Sequence, residues 1–289
     1  MKTARPADLA VVIVNYNTGP FLERCLTSLE ERAGDASLDV LVIDNASRDG
    51  SHRAAVDAHP RVRMIENSSN RFLSPAWNQG IHETAAPYVL LMNPDAEIWS
   101  GTLDRLVALM EQRPEVALLG PLIRNADGTP YPTGRRIPTV AEAVGHAFLG
   151  PFMPDNRFSR AYRMEEWDRA SEREVDWVSG ACMLLRRAAL DEVGLFDERF
   201  LLYAEELDLS TRLRSAGWSV LFTPEVEVLH EGGVSTGRSR RMHLMHSRSM
   251  FLYFDKHRAS GWRRALLPFA WLALRLRAEI VSLRDRVAR

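Results

Sequence analysis

The sequence predicts an α/β fold with a Rossmann-like, mostly parallel central sheet flanked by helices, and three observations predict it. Apolar strand-like runs alternate with amphipathic helical stretches through the first 120 residues, the pattern of parallel strands joined by crossover helices. Three of those runs stop in polar residues, Asn15-Tyr16-Asn17, Asp44-Asn45-Ala46-Ser47 and Asn93-Pro94-Asp95, and open α/β sheets bind ligands outside the carboxyl ends of their strands. Finally, 289 residues with 46% hydrophobic and 26% charged content form a soluble globular chain of one large or two small domains.

The elements follow in order. LAVVIVNYN (9–17) is a buried strand with a polar end. In PFLERCLTSLEERAG (20–34), Leu22, Cys25, Leu26 and Leu29 fall at i, i+3, i+4 and i+7, one face of a helix. Pro20 suits its first turn and Gly34 its end. LDVLVIDNASRDGS (38–51) is the second strand, SHRAAVDAHP (51–60) a short helix and RVRMIEN (61–67) the third strand. SPAWNQGIHETA (74–85) reads as a helix and PYVLLMNPD (87–95) as the fourth strand. Ser100 is expected to cap a helix carrying Leu103, Leu106, Val107 and Met110, and EVALLG (115–120) to be the fifth strand. Residues 121–173 are rich in Pro, Gly and Arg and weak in periodicity, yet aromatics recur there. They read as a long excursion beside the site rather than a linker. Beyond it come a strand pair or bulged strand (174–187), a short helix and turn (187–200), and a helix ending at Gly217 with Leu209, Leu213 and Ala216 on one side. WSVLFTP and EVEVLH read as two further strands.

Several function classes drop out. There is no G-x-G-x-x-G after the first strand, which disfavours a dehydrogenase-type dinucleotide fold, and no Gly-rich, Lys-containing phosphate loop, which disfavours a nucleotidyltransferase. Cys25 and Cys182 are the only cysteines, so neither a zinc site nor a disulfide framework is expected. The apolar run 9–14 is too short for a signal sequence or a span. Net charge is −1, but residues 238–289 hold 13 of the 37 Lys/Arg and only three of the 38 Asp/Glu. A basic tail on an acidic body calls for an anionic partner: membrane lipid, a diphosphate-bearing substrate or nucleic acid. The acidic body argues against a long nucleic-acid track. In the tail, the apolar run 265–274 covers ten residues, where a span needs about 20. Trp262, Phe269 and Trp271 among arginines suit a membrane interface, with a helix packed on the body or on another protomer as the alternative.

Taken singly, Asn93-Pro94-Asp95 is equally a turn, since all three residues form turns. Asp44-Asn45-Ala46-Ser47 is equally an Asx turn before the next helix. The ordered set is more specific. VVIVNYN, VIDNASRDGS, LLMNPDAEI, the stretch DWVSGACMLLRRAALDEVGLFDERFLLYAEELDLSTRLRSAGW and VEVLHEGG together resemble an inverting GT-A glycosyltransferase of family 2 over about residues 8–237, and its rhamnosyltransferase branch most. GPLIRNADGTPYPTGRRIPT and VLHEGGVSTGRS resemble, within that branch, the actinobacterial enzymes that extend polyprenyl-diphosphate-GlcNAc in the linker between arabinogalactan and peptidoglycan. The resemblance implies a catalytic domain over 1–237, with a nucleotide-binding half (1–100) and an acceptor half (101–237), and a basic helical extension over 238–289. It implies a dTDP-rhamnose donor, a polyprenyl-linked acceptor, a divalent cation, and a cytoplasmic enzyme peripheral on the inner face of the cell membrane. Another sugar of a cell-wall or O-antigen glycan, or a non-catalytic nucleotide- or glycan-binding relative, stays open beside it.

Residue roles follow from the same match. Tyr16 is placed to stack on the base, and Asp44 and Asn45 to hydrogen-bond the pyrimidine or ribose. Asn93-Pro94-Asp95 stands where the family carries D-x-D. With an amide in place of the first acid, Asp95 is left as the direct cation ligand, so metal binding without nucleotide is weakened. His230 matches a position that supplies a metal ligand in some members, and imidazole tilts the choice of Mg²⁺ or Mn²⁺ toward Mn²⁺. Glu206 matches the second acid of the E-D motif, the general base, with Glu replacing Asp. Adjacent helical residues point about 100° apart, so only one of Glu205 and Glu206 is expected to face the acceptor. Asp208 is then structural or acceptor-binding. Arg248 is one candidate for phosphate contact, as are Arg238, Arg240 and Arg241, with a solvated basic face as the alternative for all four.

Overall fold

The computed structural model describes residues 7–232, 239–259 and 261–287. Arg238 and the side chain of Trp262 lie outside what it describes.

The first half is built as the periodicities require. Strands β1 (Leu9–Asn15), β2 (Leu38–Asp44), β3 (Arg63–Glu66) and β4 (Tyr88–Met92) lie in the order β3-β2-β1-β4, all parallel. Helices α1 (Phe21–Glu31), α2 (Ser51–Ala58) and α3 (Leu73–His82) make the crossovers. Every residue of β1 is buried, because helices cover both faces of a parallel sheet. That is why the strand reads as a continuous apolar run rather than an alternating one. The stripe Leu22, Cys25, Leu26 and Leu29 is the buried face of α1. On the other face α3 approaches β1 closely at Gly80, where a Cβ would come within 2.2 Å of Val12 Cγ1.

Beyond β4 the sheet becomes mixed. It continues β4-β10-β6-β11-β5, with β5 (Ala96–Ser100), β6 (Val116–Asn125), β10 (Cys182–Arg186) and β11 (Ser219–His230). Strand β10 runs antiparallel to both β4 and β6, and β5 antiparallel to β11. The direction of β10 has a simple cause. The chain returns from the excursion at the carboxyl end of β4, where Asn93 N donates to Ala181 O at 2.9 Å, and must run back along it. A two-stranded sheet of β7 (Gly134–Arg135) and β9 (Trp177–Val178) sits beside the main one, and β8 (Arg173–Glu174) edges β11.

Several expectations need correction. Ser100 ends β5, a strand the sequence reading missed, and the helix α4 (Leu103–Gln112) starts from Thr102. Its buried face does contain Leu103, Leu106, Val107 and Met110. WSVLFTP and EVEVLH are one strand, β11, with a register shift between Thr223 and Glu227. Pro224 lies in that shift and has no N–H for a ladder. The 121–173 excursion is built from the end of β6, then β7 and two helices, α5 (Val140–Leu149) and α6 (Arg157–Arg163). A Thr139/Glu142 capping box starts α5, and Asn156 caps α6. After β10 come α7 (Arg187–Val193) and α8 (Glu205–Ser215), in which Leu207, Leu209 and Leu213 are buried while Ala216 is an exposed C-cap.

The basic tail is two long helices, α9 (Arg240–His257) and α10 (Leu267–Val287). They pack together through Ser247 Oγ donating to Leu274 O at 3.0 Å, Arg240 on Glu279 at 2.7 Å and His243 with Asp285 at 3.0 Å. The tail is also seated on the body: the Tyr253 and Thr211 hydroxyls meet at 3.0 Å, and His257 and Lys256 reach Asp208. Among the described residues no helix is long and apolar enough to cross a membrane.

Candidate functional site

The carboxyl ends of β1, β2 and β4, the β9–β10 turn, the start of α8 and the end of β11 enclose a cleft of about 670 Å³. Tyr16, Asn45, Asn93, Asp95, Glu206 and His230, six of the residues picked out in the sequence, all line it. Glu205, Gly180 and Arg241 line it too.

At one end Asp95, His230 and Asn93 converge. His230 Nε2 lies 3.3 Å from Asp95 Oδ1 and 3.2 Å from Asn93 Nδ2. In the tautomer that accepts from the amide, Nε2 is unprotonated, and its single lone pair is the one a cation beside Asp95 would take in place of that hydrogen bond. Among the described residues no three His, Cys, Asp or Glu side chains gather into a metal cage. This donor set, one carboxylate and one imidazole with an amide beside them, therefore fits a cation that takes its remaining ligands from a bound diphosphate.

At the other end both α8 glutamates face the cleft, which corrects the expectation that only one would. They are the first two residues of α8, and the cleft is also lined by Leu202 and Tyr203 leading into that helix, so it meets the helix at its end rather than along one side. Tyr203 and Ala204, just before the helix, have φ of +69° and +62°. Non-glycine residues rarely adopt such angles, and where they do the strain is commonly held at functional sites. Each glutamate keeps one buried Oε2 with no hydrogen-bond partner. Burial raises the Glu205 carboxyl well above its usual range, with the Glu206 charge adding to it. Burial raises Glu206 as well, countered in part by its own N–H, by the nearby Arg135 and by the N–H of Gly180. A side chain at Gly180 would meet Trp77 at 3.1 Å and the Glu206 carboxyl at 3.8 Å. Glycine thus keeps that N–H close to the acid.

Arg135 went unrecognised in the sequence. It is stacked against the rings of Tyr131, Tyr162 and Trp177, with its guanidinium 4.8 Å from the Trp177 centroid, and donates to Tyr131 Oη at 2.6 Å. Its aromatic partners come from three separate segments, so no local pattern announces it. Asp208, two residues after Glu206, is fully buried but partnered by Arg212, Lys256 and His257 at 2.7–2.9 Å. Against the upward push of burial, His257, Lys256 and Arg212 hold its carboxyl below the usual value. Asp208 is a structural acid.

Two selected residues do not line the cleft. Asp44 is buried beneath it, accepting from Asn15 Nδ2 at 2.8 Å and from Ser47 N at 2.9 Å. Successive residues at a strand end point to opposite sides, so Asn45 faces the cleft and Asp44 ties down the loop. Asn45 is itself held by Asn67 and the Phe72 carbonyl. Arg248 lies exposed two turns along α9, in a neighbouring groove. Of the other candidate arginines, Arg240 is committed to Glu279, and Arg241 enters the cleft. Cys25 and Cys182 are both free and buried.

The family model described as glycosyl transferase family 2 matches residues 10–194. The N-acetylglucosaminyl-diphospho-decaprenol L-rhamnosyltransferase of Mycobacterium tuberculosis is 40% identical over 94% of this chain and 92% of its own length. A mannosyltransferase from Pyrobaculum calidifontis, solved with GDP-Man and Mn²⁺, superposes over 99% of this chain and 77% of its own, with a TM-score of 0.57 at 16% identity. GalNAc-T7, solved with UDP, GalNAc and Mn²⁺, covers 96% of this chain and 55% of its own, with a TM-score of 0.65 at 17% identity. At such identities the two structures attest the fold alone.

Proposed function

The chain belongs to glycosyl transferase family 2, and from that membership we propose that it transfers rhamnose, with inversion, from dTDP-rhamnose to a polyprenyl-diphosphate-linked GlcNAc. The observation that carries this reading is the single cleft lined by Asp95 and His230 and by the Glu205 and Glu206 carboxyls, each of which keeps one buried oxygen without a partner. The 40% identity to the mycobacterial rhamnosyltransferase supports the choice of donor and acceptor.

In this reading Tyr16 stacks on the thymine and Asn45 hydrogen-bonds the nucleoside. Asp44 acts indirectly, by fixing the loop that carries Asn45. Asp95 and His230 would hold a divalent cation, Mn²⁺ or Mg²⁺, beside the donor diphosphate, and Asn93 would orient His230 or the sugar. When bound, the cation offsets charge on the departing diphosphate. The Glu206 carboxylate accepts the proton of the GlcNAc hydroxyl while that oxygen bonds to the anomeric carbon from the face opposite the leaving group. The C1–O bond to the diphosphate breaks, and dTDP departs. Burial raises the basicity of Glu206, which suits it to take a proton near neutral pH. Glu205, close to the same hydroxyl, holds the acceptor.

A lipid-linked acceptor also gives a use to the outer face of α10. Phe269, Leu272, Leu276, Ile280 and Leu283 form an exposed apolar stripe, with Phe269 and Leu272 71% and 67% exposed. Arg277 of α10 bonds the Ala147 carbonyl, which sets the stripe beside a second exposed apolar set, Val144, Phe148, Phe152 and Met153. In our reading both patches lie in the membrane interface, ringed by arginines, and the enzyme is peripheral. Leu272→Glu/Leu276→Glu should abolish flotation with anionic liposomes, and equal flotation of both proteins would remove the membrane from this account. The transfer reaction is tested with a panel of nucleotide sugars, Mn²⁺ or Mg²⁺, and a prenyl-diphospho-GlcNAc acceptor. Turnover with dTDP-rhamnose is the expected result, and turnover confined to another sugar would replace the donor.

A further inference from the structure

A second groove, about 290 Å³, adjoins the cleft and shares Arg241 with it. Helix α9 contributes Arg241 and Arg248, seven residues apart and so on one face, with Leu244 and Met245 between them. Helix α10 contributes Trp271 and Arg275 from across the groove. Arg241 lies over the Phe72 ring at 6.0 Å and Arg275 over Trp271 at 5.8 Å. Among the described residues none of Arg241, Arg248 and Arg275 has a carboxylate partner, while Arg199 at the rim is already bonded to Asp197. Elsewhere in the chain arginines are commonly paired with acids, as in Arg63–Asp39, Arg105–Glu225, Arg124–Glu227 and Arg240–Glu279. Three guanidiniums without carboxylate partners, lining one groove with an apolar floor, suit an amphiphilic anion, one end phosphate and the other hydrocarbon.

We infer that this groove binds the diphosphate and first isoprene units of the lipid-linked acceptor, with Arg241, Arg248 and Arg275 on the diphosphate and Leu244, Met245 and Trp271 under the chain. The inference rests on the proposed prenyl-linked acceptor. Its geometry follows from the shared residue: with the diphosphate at Arg241, the attached sugar extends into the cleft toward Glu206. The chain leaves past Trp271 toward the exposed Phe269 and Leu272 of the same helix. The donor diphosphate, at Asp95 and His230, uses none of the three.

The test uses the full chain and farnesyl diphosphate as probe, titrated by calorimetry without nucleotide. The wild type should bind farnesyl diphosphate at least about 10-fold more tightly than inorganic pyrophosphate or farnesol, since each end supplies part of the affinity. Arg248→Ala/Arg275→Ala should weaken farnesyl diphosphate about 30-fold or more. Arg248→Lys/Arg275→Lys should retain part of the affinity, which separates loss of charge from loss of fold. With dTDP-rhamnose and a prenyl-diphospho-GlcNAc acceptor, the alanine variant should raise the acceptor KM about 10-fold or more and leave the donor KM within about twofold. Undiminished farnesyl diphosphate binding by the alanine variant would overturn the inference, as would equal affinity for pyrophosphate or a raised donor KM. The binding arm reads the groove even if no rhamnose is transferred, so failure of the wider functional reading registers separately.

Discussion

Two groups of acids on the first turn of α8 invite comparison. Glu205 and Glu206 open into the cleft, and Asp208 turns toward α9. All three sit where the helix dipole favours negative charge, and burial desolvates all three. Their partners differ. Asp208 has two cations and a histidine within 3 Å, and its carboxyl is held below its usual value. Glu205 and Glu206 each keep an oxygen with no partner, and their carboxyls are raised. Burial alone therefore does not separate a structural acid from a working one. The separation lies in whether the protein has already met the acid's hydrogen-bonding demand or left it for a substrate.

The comparison is most sharply broken by exchanging the roles. Glu206→Gln should lower transfer about 10³-fold, the scale of a lost general base, with no loss of stability at neutral pH, since its carboxyl too is raised in the fold. Asp208→Asn should do the reverse. Removing the shared anion of a buried network costs about 3 kcal/mol, read as a drop in Tm on the order of 8 °C, while kcat of the folded enzyme stays within a few fold. Equal losses of activity in the two variants would erase the distinction.

A smaller effect appears in the pH dependence of stability. Carboxyls raised in the folded state contribute stability that is full below their unfolded value. That contribution is lost as pH rises through the raised folded value. Glu205→Gln should therefore raise Tm relative to the wild type at pH 8, and the difference should vanish below about pH 4. Asp208 has the opposite sign: its contribution is present above its unfolded value and is lost on acidification through the lowered one. A wild type and Glu205→Gln pair with parallel Tm–pH curves would contradict the assignment of strain to that glutamate.

The legible parts of this molecule are those where one period dominates. Strand β1 and the Leu22-Cys25-Leu26-Leu29 face of α1 follow directly from their apolar spacing, because crossover units bury one continuous face. Strand β5 was missed since Ala96–Ser100 is short, follows a turn and ends exposed. Helices α5 and α6 were hidden by the prolines and glycines around them. The choice between Asp44 and Asn45 was not available from sequence, because neighbours at a strand end carry similar chemistry and opposite directions. The joint placement of Glu205 and Glu206 was hidden because the cleft meets α8 at its end, after two left-handed residues, Tyr203 and Ala204, whose identities give no hint of that conformation. Arg135 required aromatic partners from three segments to be brought together, and only the fold does that.

In the proposed enzyme a single cleft holds the cation-bound donor and the base that activates the acceptor. An anomalous map at the manganese edge, from a crystal of the complex with dTDP and Mn²⁺, tests it most directly. The predicted result is one manganese peak between Asp95 and His230, with the nucleotide beside Tyr16 and Asn45 and Glu206 facing the same solvent-filled cleft. A peak at any other residues, or a nucleotide bound outside that cleft, would contradict it.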